Sequence, residues 1–425
     1  MTRAMKNSGV EWIGQIPESW NTIRLKMIAP ILRGASPRPI NDPKYFDDNG
    51  NYYWVRINDV TKSNGYLYSC AQKLSNIGAE LSVKLEPNTL FISICATLGK
   101  PCITKIPCCI HDGFIYFYRL DKRLNKYLYY VFEAGKCFEG LAKLGTQQNL
   151  NTFLIGNIKI ALPYNHKQIQ AIANYLDDKC AQIDNITATI NEQIEVLKQY
   201  KKSVITEAVT KGLDPNVPMK DSGVEWIGQI PEKWELTRIA GLYNLRNTKV
   251  SDKDFPALSV TNKGILPQLE TAAKTNAGEN RKLVCIGDFA INSRSDRRGS
   301  CGISPYNGSV SLINLVLTPR NKTIPKYFDW LFHTVQFGDE FYRWGHGIVD
   351  DLWSTGWDEM KKILVPIPPL PEQQAIANYL DDKCAQIDAV IADKQAQLET
   401  LAAYKKSLIY EYVTGKKSVP GFEEA

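Results

Sequence analysis

One thirteen-residue segment occurs twice in this chain, and that repeat constrains the fold more than any other feature. SGVEWIGQIPESW at 8–20 returns as SGVEWIGQIPEKW at 222–234 with a single difference, and AIANYLDDKCAQID at 171–184 returns unchanged at 375–388. Between these blocks a fainter correspondence runs at a constant offset of 200: Gly99 meets Gly299, Ile103 meets Ile303, Lys126-Tyr127 meets Lys326-Tyr327, Phe132 meets Phe332 and Gly145 meets Gly345. Self-similarity at a fixed spacing is the signature of one unit used twice. The order of blocks is also cyclic. TKGLDPNVPMKDSGVEWIG leads from the first repeat into the second half, and TGKKSVPGFEEA would lead into MTRAMKNSGVEWIG if the chain ends were joined. A pseudo-twofold cyclic arrangement is therefore expected, with the N-terminal segment beside the C-terminal helix and two equivalent faces for a symmetric pair of partners.

The repeated segments read as helices. Ile169, Leu176, Ile183, Ile190, Leu197 and Val204 stand seven apart, with Ala173, Cys180 and Ile194 in the second column. The second copy gives Leu380, Ile387, Leu401 and Leu408 beside Ala377, Cys384, Ile391 and Leu398, interrupted once by Lys394. Gly212, Gly415 and nearby prolines mark the exits. Each helix would reach roughly 60 Å, and the a/d seams suit an antiparallel coiled coil of the two. Two ordinary amphipathic helices, each packed on its own domain, are the other reading. Asn174, Asp177, Asp178 and Gln182 repeat as Asn378, Asp381, Asp382 and Gln386 away from the seam columns. A solvated face needs no such identity, so these eight are candidate partner-docking residues. Reversing the charge of Asp177 and Asp381 is expected to weaken assembly and leave the fold intact.

With 425 residues, 44% hydrophobic and 10% aromatic, the chain is long enough for several packed domains. The segments are 1–165, a first globular domain; 166–213, the central helix; 214–368, a second globular domain; 369–415, the C-terminal helix; and a tail at 416–425. Each globular half alternates short strands with turns and ends in a helix, an α/β (α+β) pattern used twice. YYWVRI, TLFISI and HDGFIYFYRL are strands in the first, followed by a helix KYLYYVFEAGKCFEGLAKL. FPALSV, KLVCIG, DFAINS and SLINLVLTP are strands in the second, followed by KYFDWLFHTVQFGDEFYRW. The N-terminus lacks the apolar core of a signal peptide, and no stretch approaches the roughly 18 apolar residues of a membrane span. Ten cysteines without a CxxC pair read as reduced thiols, and a cytoplasmic chain with no membrane partner is expected. The net charge of +6 permits a polyanionic partner without demanding one.

At this point the chain resembles the specificity subunit of type I restriction–modification systems. The residues that carry the resemblance are the paired SGVEWIGQIPE starts, GASPRPI at 34–40, GTQQNLN at 145–151 leading into IKIALP, KKILVPIPPLPEQQAIANYLD at 361–381, and the basic helix ends YKKSVITEAVTKG and YKKSLIYEYVTGK. The likeness spans essentially the whole chain. LPYNHKQIQAI at 162–172 departs from the PPLPEQQAI of the second copy, at the turn into the first helix. The resemblance implies that each globular half is a target-recognition domain reading one part of a split double-stranded DNA sequence. It implies that the helices set the gap and dock two modification (methyltransferase) subunits, with restriction (translocase/endonuclease) subunits joining them. S-adenosylmethionine, ATP and magnesium would then sit on those partners, and no cofactor on this chain.

Base reading needs side chains that pair bidentately with base edges, supported by phosphate contacts. In the first half Arg33, Ser36, Arg38, Thr146, Gln147, Gln148 and Asn149 supply such groups. In the second they are Arg246, Asn247, Lys249, Asn292, Arg294, Ser295, Arg297, Arg298 and His346. On the shared frame the first half has ICATL where the second has SRSDRR, as two readers of different half-sites require. Solvated surface arginines, in part paired with Asp296, are the plainer reading. The sequence shows no Gly-rich cofactor loop with an Asn/Asp-Pro-Pro-aromatic motif, no Walker A loop and no Ser/His/Asp spacing, so a non-catalytic chain is expected. Cys95, Cys102, Cys108, Cys109 and His111 match no usual zinc spacing and read as buried small hydrophobes, with no metal. A coiled-coil scaffold with two protein-binding heads is the alternative to a DNA reader.

Overall fold

The computed structural model describes residues 3–95, 98–139, 141, 150–268, 278–294, 297–347 and 353–422. The chain forms two compact units, one of Met1–Ile190 with Ala396–Ala425 and one of Asn191–Gln395. The two long helices are His166–Lys211, 46 residues, and Leu370–Val413, 44 residues, or about 69 and 66 Å at 1.5 Å per residue. Each helix contributes one part to each unit, so the linear segments of the sequence group differently in space.

In the first unit a five-stranded sheet runs in the order Ile31–Arg33, Phe114–Phe117, Thr89–Ser93, Pro101–Thr104, Tyr66–Leu67, with a four-stranded sheet centred on Tyr52–Val55 and Cys108–Ile110. The helix Asn125–Glu133 packs its Tyr127, Leu128, Val131 and Phe132 into the core that also takes Trp20, Ile169, Leu176, Ile183, Leu408 and Val413. The expected longer helix stops here because Gly135 turns to φ 74, a left-handed conformation that ends a helix. The N-terminal hairpin, Met5–Asn7 with Gln15–Pro17, lies on the end of the second long helix. Arg3 donates to Gly415 O at 3.1 Å, Tyr410 donates to Ile13 O at 3.2 Å, and Lys416 also reaches Ile13 O.

The second unit repeats this plan. Its four-stranded sheet has the order Tyr243–Arg246, Asn314–Pro319, Phe289–Asn292, Cys301–Ile303; the last three match strands of the first unit at the offset read from the sequence, and Tyr243–Arg246 takes the place of Ile31–Arg33 at a longer spacing. Its terminal helix is two, Pro325–Phe332 and Val335–Arg343, because Thr334 accepts from Phe337 N at 3.2 Å and caps the second. Trp234, the second copy of Trp20, is likewise fully buried, and donates to Glu372 at 3.0 Å.

Within each unit the helix segments run antiparallel, as partners rise in one helix while they fall in the other. The first unit pairs Tyr175 with Tyr412 and Asp184 with Lys405; the second pairs Gln193 with Lys394 and Lys201 with Asp388. The seam residues Ile169, Leu176, Ile183, Ile190, Val204, Leu380, Ile387 and Leu408 are buried. Lys394 breaks the seam but spends its ammonium on Gln193 at 2.6 Å.

The helix of each half docks on both long helices through the same two contacts. Tyr127 directs its hydroxyl between Ala161 O at 2.7 Å and Val413 O at 2.9 Å, and Tyr327 donates to Val209 O at 2.8 Å. Asp177 accepts from Tyr130 at 2.7 Å and pairs with Lys126. Its second copy Asp381 accepts from Trp330 at 3.0 Å and faces Lys326 at 3.5 Å. Asp177 and Asp381 thus also serve the chain's own packing, and charge reversal there would put a cation against a lysine.

Tyr327→Phe is expected to cost about 1–3 kcal/mol in urea unfolding, the penalty of a buried carbonyl left without a donor. Asp177→Ala should lower stability by about 1 kcal/mol, and Asp381→Ala by less, because the side chain of Asp381 is 45% exposed against 25% for Asp177. Equal, negligible effects in both would show that the aspartates do not hold the halves to the helices.

Candidate nucleic-acid interface

In both units the central strand ends in the same junction. Past Thr89–Ser93, Ile94 donates to Gly113 O at 2.9 Å and accepts from Leu150 N at 3.2 Å. Past Phe289–Asn292, Ser293 donates to Ile313 O at 3.3 Å and accepts from Thr355 N at 3.0 Å. The chain thus returns from each variable loop to one strand end, and most of the described candidate residues gather there.

In the first unit the loop at 33–39 is fixed against the turn at 111–113. Gly34 donates to Phe114 O at 2.9 Å and Ala35 to Ile110 O at 3.1 Å. A Cβ on Gly34 would lie 2.2 Å from His111 O, so only glycine permits this approach. Tyr45 donates to Arg38 O at 2.8 Å and holds the far end of the loop. Arg33, Ser36 and Arg38 then converge on one residue. Arg33 Nε donates to Asp112 O, Ser36 Oγ to Asp112 Oδ1 at 2.8 Å, and Arg38 to Asp112 Oδ2 at 2.8 Å. Partial burial pushes the Asp112 carboxyl up, but the Ser36 hydroxyl and the Arg38 guanidinium more than offset this and hold it below its ordinary value. His111 is half-buried between Trp54 and Phe114, accepts from Gly113 N at 2.8 Å, and is held below its usual pKa by burial. Thr146, Gln147, Gln148 and Asn149 lie outside the described residues.

In the second unit Arg246 is a correction. Its Nε and a terminal nitrogen grip Asp288 at 2.7 and 3.1 Å, and Asp288 is 2% exposed and also accepts from Cys285 N. The fork that would read a base is occupied by a buried carboxylate, so Arg246 serves the fold. Asn247 and Lys249 stand exposed on the following turn and strand. Asn292 is buried and accepts from Arg294 N at 3.0 Å. Arg294 and His346 meet on either side of Ser354, and Tyr342 donates to Arg294 O at 2.7 Å. Arg298 pairs with Asp339 at 3.0 Å and lies over the Tyr342 ring, while Arg297 is exposed beside it. Ser295 lies outside the described residues.

Asn292, Arg297 and Arg298 line a groove of about 660 Å³ together with Thr261, Asn262, Gln268 and Asn314. The last four are polar residues that sequence reasoning missed. Three of them come from or adjoin the hairpin of Leu258–Thr261 with Gly264–Pro267, whose only sequence mark is the Asn-Lys-Gly turn. The guanidinium groups of Arg297 and Arg298 and the amides of Asn262, Gln268, Asn292 and Asn314 in this lining offer donors to phosphates and donor–acceptor pairs to base edges.

Of the docking candidates, Asn174, Asp178 and Gln182 are exposed and four residues apart on the first helix, and Asn378, Asp382 and Gln386 repeat this on the second. Cys102, Cys108 and Cys109 are buried in strands, and burial pushes their thiols up to about 12, 12 and 11. Among the described residues no three His, Cys, Asp or Glu side chains are grouped to hold a metal ion, and no helix is long and apolar enough to cross a membrane.

The chain is similar to known proteins over nearly all its length. The family described as "Type I restriction modification DNA specificity domain" matches residues 17–196 and again 231–400. The type I restriction enzyme MjaVIII specificity subunit of Methanocaldococcus jannaschii is 26% identical, over 95% of this chain and 94% of that one. A solved chain from a study of complex assembly and conformational transition of the type I R-M system superposes with TM-score 0.71 at 14% identity, covering 95% of this chain and 99% of that one. The HsdS subunit from Thermoanaerobacter tengcongensis gives TM-score 0.53 at 14% identity, covering 95% and 98%. Two family matches on two like units, each ending its central strand in the same backbone junction, make this chain a member of the type I restriction–modification DNA specificity family.

Proposed function

We propose that each unit reads one half of a bipartite duplex target, and that the chain itself is non-catalytic. The observation that carries this reading is the junction at the end of the central strand. One frame presents Arg33, Ser36 and Arg38 in the first unit, and Arg294, Arg297, Arg298 and His346 in the second. A shared scaffold with different donors at one place is what two readers of different base sequences need. The long helices act as a spacer between the half-sites. Methylation and cleavage belong to two modification subunits and to restriction subunits, which carry the S-adenosylmethionine, ATP and magnesium.

Replacing residues 22–160 with the corresponding domain of a related system should change one half of the methylated sequence, as read by modified-base sequencing of DNA from cells expressing the complex. A change in both halves, or in neither, defeats the two-reader assignment. Binding of the assembled complex to its own target should weaken steeply as salt rises, since phosphate contacts release counterions.

The two exposed stripes, Asn174, Asp178, Gln182 and Asn378, Asp382, Gln386, dock the modification subunits in this reading. Asp178→Lys combined with Asp382→Lys should reduce co-purification of those subunits while leaving the unfolding midpoint within about 0.5 kcal/mol of the parent. Undiminished assembly would remove the stripes from the docking surface.

A further inference from the structure

We infer that Asp112 is a positioning residue for DNA reading by the first unit, holding Arg38 so that its guanidinium meets a single base edge. This rests on the proposal that the first unit reads DNA, and adds a residue for which the sequence offers no motif. The geometry is convergent. Three side chains of one loop reach Asp112, two on its carboxylate and one on its peptide oxygen. The turn that carries Asp112 is itself rigid: Gly113 N is bound by His111 Nδ1, Gly113 O accepts from Ile94, and the Gly34 backbone lies against His111 O. The pair is directed outward, with the Arg38 side chain 70% exposed and that of Asp112 38%.

An ion pair this exposed adds little to stability, so the convergence calls for another role. Arg38 uses one nitrogen on Asp112 and keeps the rest of its fork for a partner. An arginine held before contact has already lost the rotamer freedom that base pairing would cost, and it meets one base edge better than its alternatives. At the offset of 200 the second unit has Leu312, 39% exposed, in place of Asp112.

The test uses the full chain assembled with its modification subunits, and the duplex that modified-base sequencing identifies as its target. Each base pair of both half-sites is substituted singly, and binding is measured by competition. Asp112→Asn should reduce discrimination about tenfold at one or two adjacent base pairs of the first half-site, with the second half-site and the unfolding midpoint unchanged. Arg38→Ala, which removes only an exposed arm, should lose discrimination at the same base pairs, and the double variant should lose no more. Three results overturn the inference: an unaltered profile; an even loss on every duplex with the salt slope reduced by about one, the mark of a phosphate contact; or tighter binding to all duplexes, the mark of a carboxylate that merely repels DNA. If exchange of residues 22–160 leaves both half-sites unchanged, it is the DNA-reading assignment that fails, a result separable from all three.

Discussion

Each globular half is fastened to the long helices by a buried phenol. The last carbonyls of any helix lack an intrahelical donor, and here those ends are packed under aromatic cores rather than left to water. Tyr127 supplies the donor for Val413 and Tyr327 for Val209, each from a side chain with no exposed surface. The carbonyl needs the hydroxyl, because alone it is a buried polar atom without a donor; the Tyr127 hydroxyl has Ala161 O as a second acceptor. The surrounding aromatics follow from this bond. Phe132 stacks on Phe117 in one half, and Phe332 packs on Phe289 and Phe337 in the other, around helices whose position the tyrosine has fixed.

Much of this plan was legible in the sequence because it depends on periodicity and repetition. The seven-residue spacing of Ile169 to Val204 marks a buried seam, and the offset of 200 finds three of the four strands that occupy equal places in the two sheets. What was not legible depends on partners distant in sequence. Nothing local separates Arg246 from Arg297, yet a carboxylate 42 residues onward claims the first, while the second stands exposed in the groove wall. Asp177 and Asp178 are adjacent and equally repeated, but successive helix residues lie about 100° apart, so one faces Tyr130 and the other faces outward. The helix expected over 326–344 is divided by Thr334, since a threonine that caps a new helix and one inside a helix look alike in sequence.

The candidate interface was legible in kind rather than in detail. Arg33, Ser36 and Arg38 come together as their spacing suggests, and Asn292, Arg297 and Arg298 share one groove. Asp112 and Asn314 were missed because each acts from a strand or turn that only the sheet order brings alongside. The framework therefore states itself through repetition, while the proposed reading surface lies on residues that differ between copies, for which repetition carries no signal.

The discontinuity of the first unit bears on how the chain is made. Its first 190 residues leave the ribosome early, but the segment that completes it begins at Ala396. Until then Trp20, Ile169, Leu176 and Tyr127 lack Leu408, Ile409, Tyr412 and Val413, the side of their core that the second long helix provides. The second unit, Asn191–Gln395, has by that stage all of its residues. Translation thus finishes the later unit first, and the earlier one waits, with an apolar face open, for the final turns of the last helix.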